Sequence, residues 1–467
     1  MKRYLHLSLF VILCINLGWA KSTPIPYVDL PLTPDAAKPG AAEFTLTLHG
    51  AGFVSRSVVK WNGKPLKTHF VGNTELTAKV PASDVSKAGS VPVTVVNPGK
   101  LVSNVCYFQI VKPEKSISMQ FATYGTGPEP YAVATGDFNN DGILDLAVAN
   151  VSSTTVSILL GNGDGTFQTQ AEYQGGYDPI AVGVGDFNHD GNLDLAVVNN
   201  GNKSNGQPGT VTILLGNGDG TFTTGQTFDT GDGPNCVAIG DFNGDGKLDL
   251  ALSDYNVSYG NSVAVLLGNG DGTFRTYATY ETGSAPEFVV TADVNGDGIL
   301  DLITANEVSE TVSVLLGKGD GTFQPHVDYG VGKAPLALAV GDLSGDGKPD
   351  LAVVNLSSDS VSVLLGNGDG TFQAHVDYPT DMYPVSVAIA DFNGDNHQDL
   401  AVANQNSSGT VSIFPGKGNG TFGARKDYSA GSEPQGMTVG DFKGNGRLDI
   451  SIVDVFSTEV GVLLQGK

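Results

Sequence analysis

From residue 118 onward, short apolar runs alternate with polar loops, and the whole alternation repeats. One unit reads "PIAVGVGDF", an acidic loop, "LDLAVVNN", a polar stretch, "GTVTILLGNGDGTF", and a last run ending near "TFDTGDGP". Short runs rich in Val, Leu, Ile and Thr between Gly, Asn and Asp predict strands. Each unit therefore predicts four: one before the acidic loop, one after it, one ending in Leu-Leu-Gly and one starting at Thr-Phe. The acidic loops begin at Asp137, Asp186, Asp241, Asp293, Asp342, Asp391 and Asp441, 49 to 55 residues apart. Four short strands at a period near fifty residues predict a β-propeller of seven blades. "GVLLQGK" ends the last unit after its third strand, and "SISMQFATYGTGP" ahead of the first unit matches a fourth strand. The N-terminal segment is thus expected to complete the last blade and remove two open edges. "GNGDG", at 161–165, 216–220, 268–272 and 366–370, reads as a hairpin whose Asn-Gly and Asp-Gly pairs supply left-handed turn positions.

Residues 24–112 follow a different pattern. Phe44–Leu48, Leu76–Val80 and Val91–Val95 alternate as half-buried strands, with turn signals at Gly50-Ala51-Gly52 and Asn62-Gly63. A small β-sandwich follows. The stretches "LTLHGAGFVSRSVVKWNG", "TELTAKVPASDV" and "VPVTVVNPG" resemble the IPT/TIG immunoglobulin-like domain, which implies a spacer or binding module. Met1-Lys2-Arg3, the apolar run from Leu5 to Leu17 and Gly18-Trp19-Ala20 read as a secretory signal peptide. The expected fold is all-β: a seven-bladed β-propeller preceded by a small immunoglobulin-like β-sandwich. The expected division is 1–20 signal peptide, 24–112 IPT/TIG domain, 113–117 linker and 118–467 propeller.

With 49 acidic and 25 basic residues the formal charge is −24, which argues against nucleic acid and anionic lipid as partners. No second apolar stretch is long enough to span a membrane. After leader cleavage only Cys106 and Cys236 remain, one in each domain, and buried free thiols are expected.

The charge is concentrated in the acidic loops. In the first, Asp137, Asn139, Asp141 and Asp145 place side-chain oxygens at positions 1, 3, 5 and 9; Ile143 offers its carbonyl at position 7 and Gly142 permits a sharp turn. The same five positions hold Asp186, Asn188, Asp190, Asn192 and Asp194 in the second loop, and Asp241, Asn243, Asp245, Lys247 and Asp249 in the third. They hold Asp293, Asn295, Asp297, Ile299 and Asp301 in the fourth, Asp342, Ser344, Asp346, Lys348 and Asp350 in the fifth, and Asp391, Asn393, Asp395, His397 and Asp399 in the sixth. Oxygen-only donors in a flexible loop suit Ca²⁺ better than zinc, copper or magnesium. Polar turns without metal explain one such loop but do not demand carboxylates at 1, 5 and 9 in six units. The mixed chemistry at position 7 is what a backbone ligand predicts. The seventh loop, "DFKGNGRLD", has Lys443 and Asn445 at positions 3 and 5. The Lys443 amine is expected to pair with Asp441 and Asp449 in place of an ion, giving about six structural Ca²⁺ ions per chain.

Asp-Phe-Asn-x-Asp-Gly-x-x-Asp-Leu at this period, with Leu-Leu-Gly-x-Gly-Asp-Gly-Thr-Phe between, resembles the FG-GAP/VCBS repeat of the integrin α-subunit head. The resemblance covers residues 118–467 and implies a seven-bladed propeller with calcium in the loops joining the first two strands of a blade. No unrepeated nucleophile motif is present, and His326 and His375 occupy equivalent places in two units. The expected function is non-catalytic: a secreted, calcium-stabilised monomer, extracellular, at the cell surface or periplasmic, that recognises an extracellular protein or glycan. The alternative is a polysaccharide lyase or glycosidase with an acidic pair on the same scaffold. The variable stretches 199–210, 254–262 and 306–311, and Tyr177, Tyr255, Tyr259 and Tyr383, are the candidate ligand contacts.

Overall fold

The computed structural model describes residues 23–114, 117–201, 208–231, 233–255 and 261–466. The leader, Tyr259 and parts of the stretches 199–210 and 254–262 lie outside the described residues. Between Tyr27 and Ile110 two sheets face each other. One orders the strands Tyr27–Val28, Phe44–Ala51, Glu75–Val80 and Lys67–Gly72; the other is built on Cys106–Ile110, Gly89–Asn97 and Val58–Trp61. The predicted alternation holds: Leu46, Leu48, Leu76, Val93 and Val95 point inward onto Trp61 and Phe108, where burying each side chain contributes roughly 1.5–3 kcal/mol. Cys106 and Cys236 are both buried and unpaired.

From residue 119 on, four-stranded antiparallel sheets repeat, an arrangement that fits a β-propeller. The first unit is Pro130–Gly136, Asp145–Asn150, Thr155–Leu159 and Ala171–Gln174. Its second strand, "DLAVAN", is buried at all six positions because sheets cover both its faces, so it is a continuous small-apolar run without polar alternation. Its fourth strand is largely exposed. The fourth strands begin later than the Thr-Phe signal predicts. Phe167 makes only an isolated bridge to Gly161 and then packs edge-on against Phe442, 5.4 Å between ring centres. Only the second unit has an unbroken strand from the phenylalanine, Phe222–Gly231.

One sheet is composite. Met119–Gly125 pairs antiparallel with Glu459–Gln465, Met119 opposite Gln465, and joins Asp449–Asp454 and Pro434–Gly440. First strands of successive sheets touch, and Pro130–Gly136 touches Pro434–Gly440, so the sheets form a closed ring. A repeated bond ties neighbours. The carbonyl at position 2 of one acidic loop accepts the N–H of the last hairpin glycine in the next unit, as Phe138 does from Gly220 and Phe442 from Gly165. The composite sheet lacks that hairpin, and there the Gln465 side chain donates to the Phe392 carbonyl at 2.7 Å.

The acidic loops and the hairpins lie at one end of the ring, and the connections between second and third strands and between units lie at the other. A chain beginning at Ile117 should elute as a monomer, whereas one beginning at Thr126 should associate through the exposed 459–465 edge and melt lower. Light scattering of both would refute the closing role of 119–125 if they are equally stable and monodisperse.

Candidate functional site

The ninth-position carboxylate organises each acidic loop. Asp145 is fully buried; one oxygen accepts the Phe138 N–H and the other the Gly161 N–H, each at 2.8 Å. Gly161 is the first hairpin glycine, and a Cβ there would lie 2.3 Å from the Leu144 carbonyl, so this hairpin requires glycine at that place. The pair of bonds recurs on Asp194, Asp249, Asp301, Asp350 and Asp399. It recurs on Asp449 too, from Phe442 and Gln465. This role was not legible from ligand spacing.

Position 1 caps the turn. Asp137 accepts the N–H groups of Asp141 and Gly142 at 3.0 and 2.8 Å. Asp141 is exposed and Asn139 half-buried, and the Asn139 amide donates to the Asp141 carboxylate at 2.9 Å. Positions 4 and 6 are both left-handed: Asn140 and His189 at φ 59°, and Gly142 at φ 84°. Asn396 takes the glycine's place in the sixth loop at φ 67°, as its short amide allows. Among the described residues no three Asp, Glu, His or Cys side chains converge as a ready-made metal cage. The donor chemistry nevertheless suits a hard cation: the position-3 and position-5 oxygens accept the N–H groups of positions 5 and 7, as Asn139 and Asp141 do, and each oxygen accepting one N–H keeps a second lone pair. Burial pushes Asp249, Asp301 and Asp399 up to about 8, against the opposing N–H bonds and with the neighbouring carboxylates adding to it. Burial likewise brings Asp449 to about 7.

The seventh loop departs from expectation. The Lys443 ammonium donates to the Gly466 carbonyl at 3.1 Å and makes no ion pair with Asp441 or Asp449. A carbonyl within reach of the long side chain draws the ammonium to Gly466, away from the carboxylates that the backbone N–H groups already hold. Arg447, at position 7, pairs with Glu114 at 2.7 Å.

The β-sandwich sits on this end of the ring. The Ile25 N–H donates to Asp241, Asn73 to the Asp297 carbonyl and Gln109 to the Asp391 carbonyl. Between the domains is a cavity of about 140 Å³ lined by Asp29, His49, Asp293, Asp342 and Lys348. Burial, and then Asp293, push Asp29 up to about 8.

The opposite end is uncovered. At the second residue of their first strands stand Tyr131, Asn235, Glu287 and Gln435, around the axis where first strands meet. Tyr255 donates to Glu307 at 2.9 Å, Asn235 donates to Glu287, and Gln405 donates to Gln435 at 3.1 Å. Burial and the nearby Glu307 push Glu287 up to about 8. Tyr177, Val308, Met382, Tyr383 and Phe456 are exposed on the surrounding loops, Phe456 at 71%. Of the predicted contacts, Tyr177, Tyr255 and Tyr383 are thus on one face. His326 and His375 instead lie at the outer edge, against Asp328 and Asp377.

The FG-GAP-like repeat profile matches residues 137–197, 201–252, 251–304, 293–353, 342–402 and 391–452. The chain belongs to the FG-GAP repeat family. Residues 32–110 match the IPT/TIG domain. No curated protein gives a significant match. Among solved structures, a functionally unknown protein from Desulfotomaculum acetoxidans is 12% identical with a TM-score of 0.50, over 68% of this chain and 90% of that one, a likeness of fold. An auxiliary nutrient binding protein from Bacteroides ovatus is 14% identical (TM-score 0.42; 96% and 100% covered). A periplasmic gluconolactonase from Pseudomonas aeruginosa is 19% identical (TM-score 0.49; 75% and 94% covered).

Two predictions follow from the FG-GAP loops. Asp449→Ala, in the loop poorest in donors, and Asp301→Ala should each cost about 2–4 kcal/mol in urea unfolding, because each strands two buried N–H groups. A cost confined to Asp301→Ala would assign the ninth position to metal alone. The second concerns pH. These carboxyls hold protons more tightly folded than unfolded, where Asp titrates near 3.9, so the folded chain binds the extra protons between about pH 4 and 8. Chelator-treated protein should therefore melt higher at pH 5 than at pH 8; the reverse order would show that the N–H bonds outweigh burial.

Proposed function

We propose that this chain is a secreted, non-catalytic binding or adhesion protein, a calcium-stabilised seven-bladed propeller that takes an extracellular protein or glycan at its uncovered loop face. One observation carries the reading: the IPT/TIG domain covers the acidic-loop end, while the other end presents aromatic and apolar side chains around a polar centre. Rigid strands hold variable loops there, the usual setting for recognition. Tyr131, Tyr255 and Tyr383 offer ring faces, and Asn235, Gln405, Gln435 and Glu307 offer hydrogen bonds, a combination that suits sugar hydroxyls over a hydrophobic ring face.

Calcium belongs to the opposite end. The six loops with carboxylates at positions 1, 5 and 9 would hold it, with the Asn or Ser of position 3 and the carbonyl of position 7. A bound ion would neutralise carboxylates that burial and mutual repulsion otherwise oppose. The basic, apolar N-terminal segment is a leader that directs export.

A second reading, a carbohydrate-active enzyme, draws on Glu287 and Glu307, linked through Tyr255 in the same centre, one held toward its neutral form. One set of measurements separates these readings. The calcium-loaded protein should contain about six ions, melt lower after chelation and bind on a glycan or extracellular-protein array. Tyr383→Ala should weaken that binding about tenfold or more while leaving the melting temperature unchanged. Cleavage of an anionic or neutral polysaccharide, abolished by Glu287→Gln, would replace binding with catalysis. A melting curve unmoved by verified calcium removal would remove the metal from the account.

A further inference from the structure

The sixth acidic loop differs from its siblings at two positions, and both differences face the β-sandwich. Position 6 is Asn396 where the other loops have glycine, and its side-chain oxygen accepts the Ala36 N–H at 3.0 Å. Position 8 is Gln398 where five loops have leucine and one has proline; it is 5% exposed and donates to the Asp35 Oδ2 at 2.6 Å. Gln109 completes the junction: its N–H donates to the Asp35 carbonyl at 3.0 Å and its side chain to the Asp391 carbonyl at 3.1 Å. Asp35 is thereby fixed from both domains.

Two oxygens at this junction have no partner among the described residues. Asp35 is 9% exposed and its Oδ1 is buried and accepts nothing. Asn393, at position 3, is 8% exposed; its amide nitrogen faces Asp399, and its Oδ1 is also buried and accepts nothing. In the first four loops the same Asn oxygen accepts the position-5 N–H. The sixth loop has turned that oxygen inward. A buried oxygen without a donor costs on the order of 1–3 kcal/mol, so two at one place ask for a ligand that accepts electron pairs. The loop carboxylates of Asp391, Asp395 and Asp399 lie on the ring side of the junction, and Asp35 faces them closely enough for Asp391 and Asp395 to act on its charge. Among the described residues no Lys or Arg pairs with them, and His397 alone lies beside Asp395 at 3.5 Å.

We infer that Asp35 of the IPT/TIG domain is a ligand of the divalent cation held by the sixth loop, so that this one ion clamps the two domains together. The inference rests on the calcium reading above and adds to it a ligand from outside the repeat. With Asp35 the oxygen donors of the site are the carboxylates at 1, 5 and 9, the Asn393 amide, the His397 carbonyl and a further carboxylate. That is a fuller set than a loop supplies alone, within the six to eight oxygens that Ca²⁺ takes. The Gln398 donor orients the Asp35 carboxylate, the part that an outer partner plays at a metal ligand.

The test uses the full chain, with Ca²⁺ as the titrant and small-angle scattering as a second readout. Asp35→Asn keeps the shape and the Gln398 bond but removes the charge; Asp84→Asn, on an exposed turn of the same domain, is the control. The wild type should show one site tighter than the rest, and Asp35→Asn should weaken that site about tenfold or more with the others unmoved. On chelation the wild type should expand as the domains separate, and Asp35→Asn should be expanded at calcium levels that keep the wild type compact. If the wild type binds calcium in the loops and Asp35→Asn titrates and scatters identically, the clamp is wrong while the calcium reading stands. If the wild type binds no calcium, both fall. An Asp35→Asn chain that is more stable and equally compact without calcium would identify Asp35 as a protonated acid bonded to Gln398, and would also overturn the clamp.

Discussion

A buried carboxylate that accepts two backbone N–H groups sits under every acidic loop, and the rest of the ring is arranged around it. Asp145 joins the loop before its strand to the hairpin after the next one, so a single residue fixes the relation of three strands. At 2.8 Å the bonds are short because the acceptor is a carboxylate, and the interior strengthens them. The same burial makes the charge expensive. Each unit therefore carries a group whose geometry is settled and whose charge is not, which is where a cation can act on the whole fold.

The two ends of the ring differ in what they contact. At the acidic end the β-sandwich lies across several loops, and its bonds go to loop backbone and to Asp241, Asn396 and Gln398. At the other end the connections bond mainly to one another. Tyr383 stands at φ 57° before Pro384, and its carbonyl accepts the Gln405 N–H, the same closure that Ala334 and Ala285 make in their units. The strain there is structural and repeated, so the side chain at that position is unconstrained by the fold.

Much of this was legible in the sequence, and for local reasons. The period, the strands around each loop, the left-handed turn at position 6 and the strand borrowed from residues 119–125 all follow from patterns within one unit or from comparing units. What escaped was non-local. The fourth strands start late because the Thr-Phe pair turns its ring into the neighbouring sheet, a contact no single unit contains. Lys443 looked like a counter-ion for two aspartates and reaches a carbonyl near the far end of the chain. The docking of the β-sandwich was illegible altogether, since Asp35 and Gln398 are 363 residues apart and each reads as an ordinary polar residue in its own segment.

The composite sheet gives the ring a direction of mechanical weakness. Met119 lies opposite Gln465 in an antiparallel pair, so tension applied across these two residues would load the ladder one rung at a time from that end, the peeling geometry. A parallel pairing would have loaded all rungs together in shear. The chain reinforces the first rung from outside the pair: the Ile117 carbonyl, just ahead of it, accepts Lys426 Nζ at 2.8 Å and the Tyr428 hydroxyl at 2.7 Å from the adjoining sheet. A force that reaches the ring through its N-terminal domain must break that side anchor before it can peel the seam. Two side chains of a neighbouring sheet thus guard the end of the ladder at which peeling would begin.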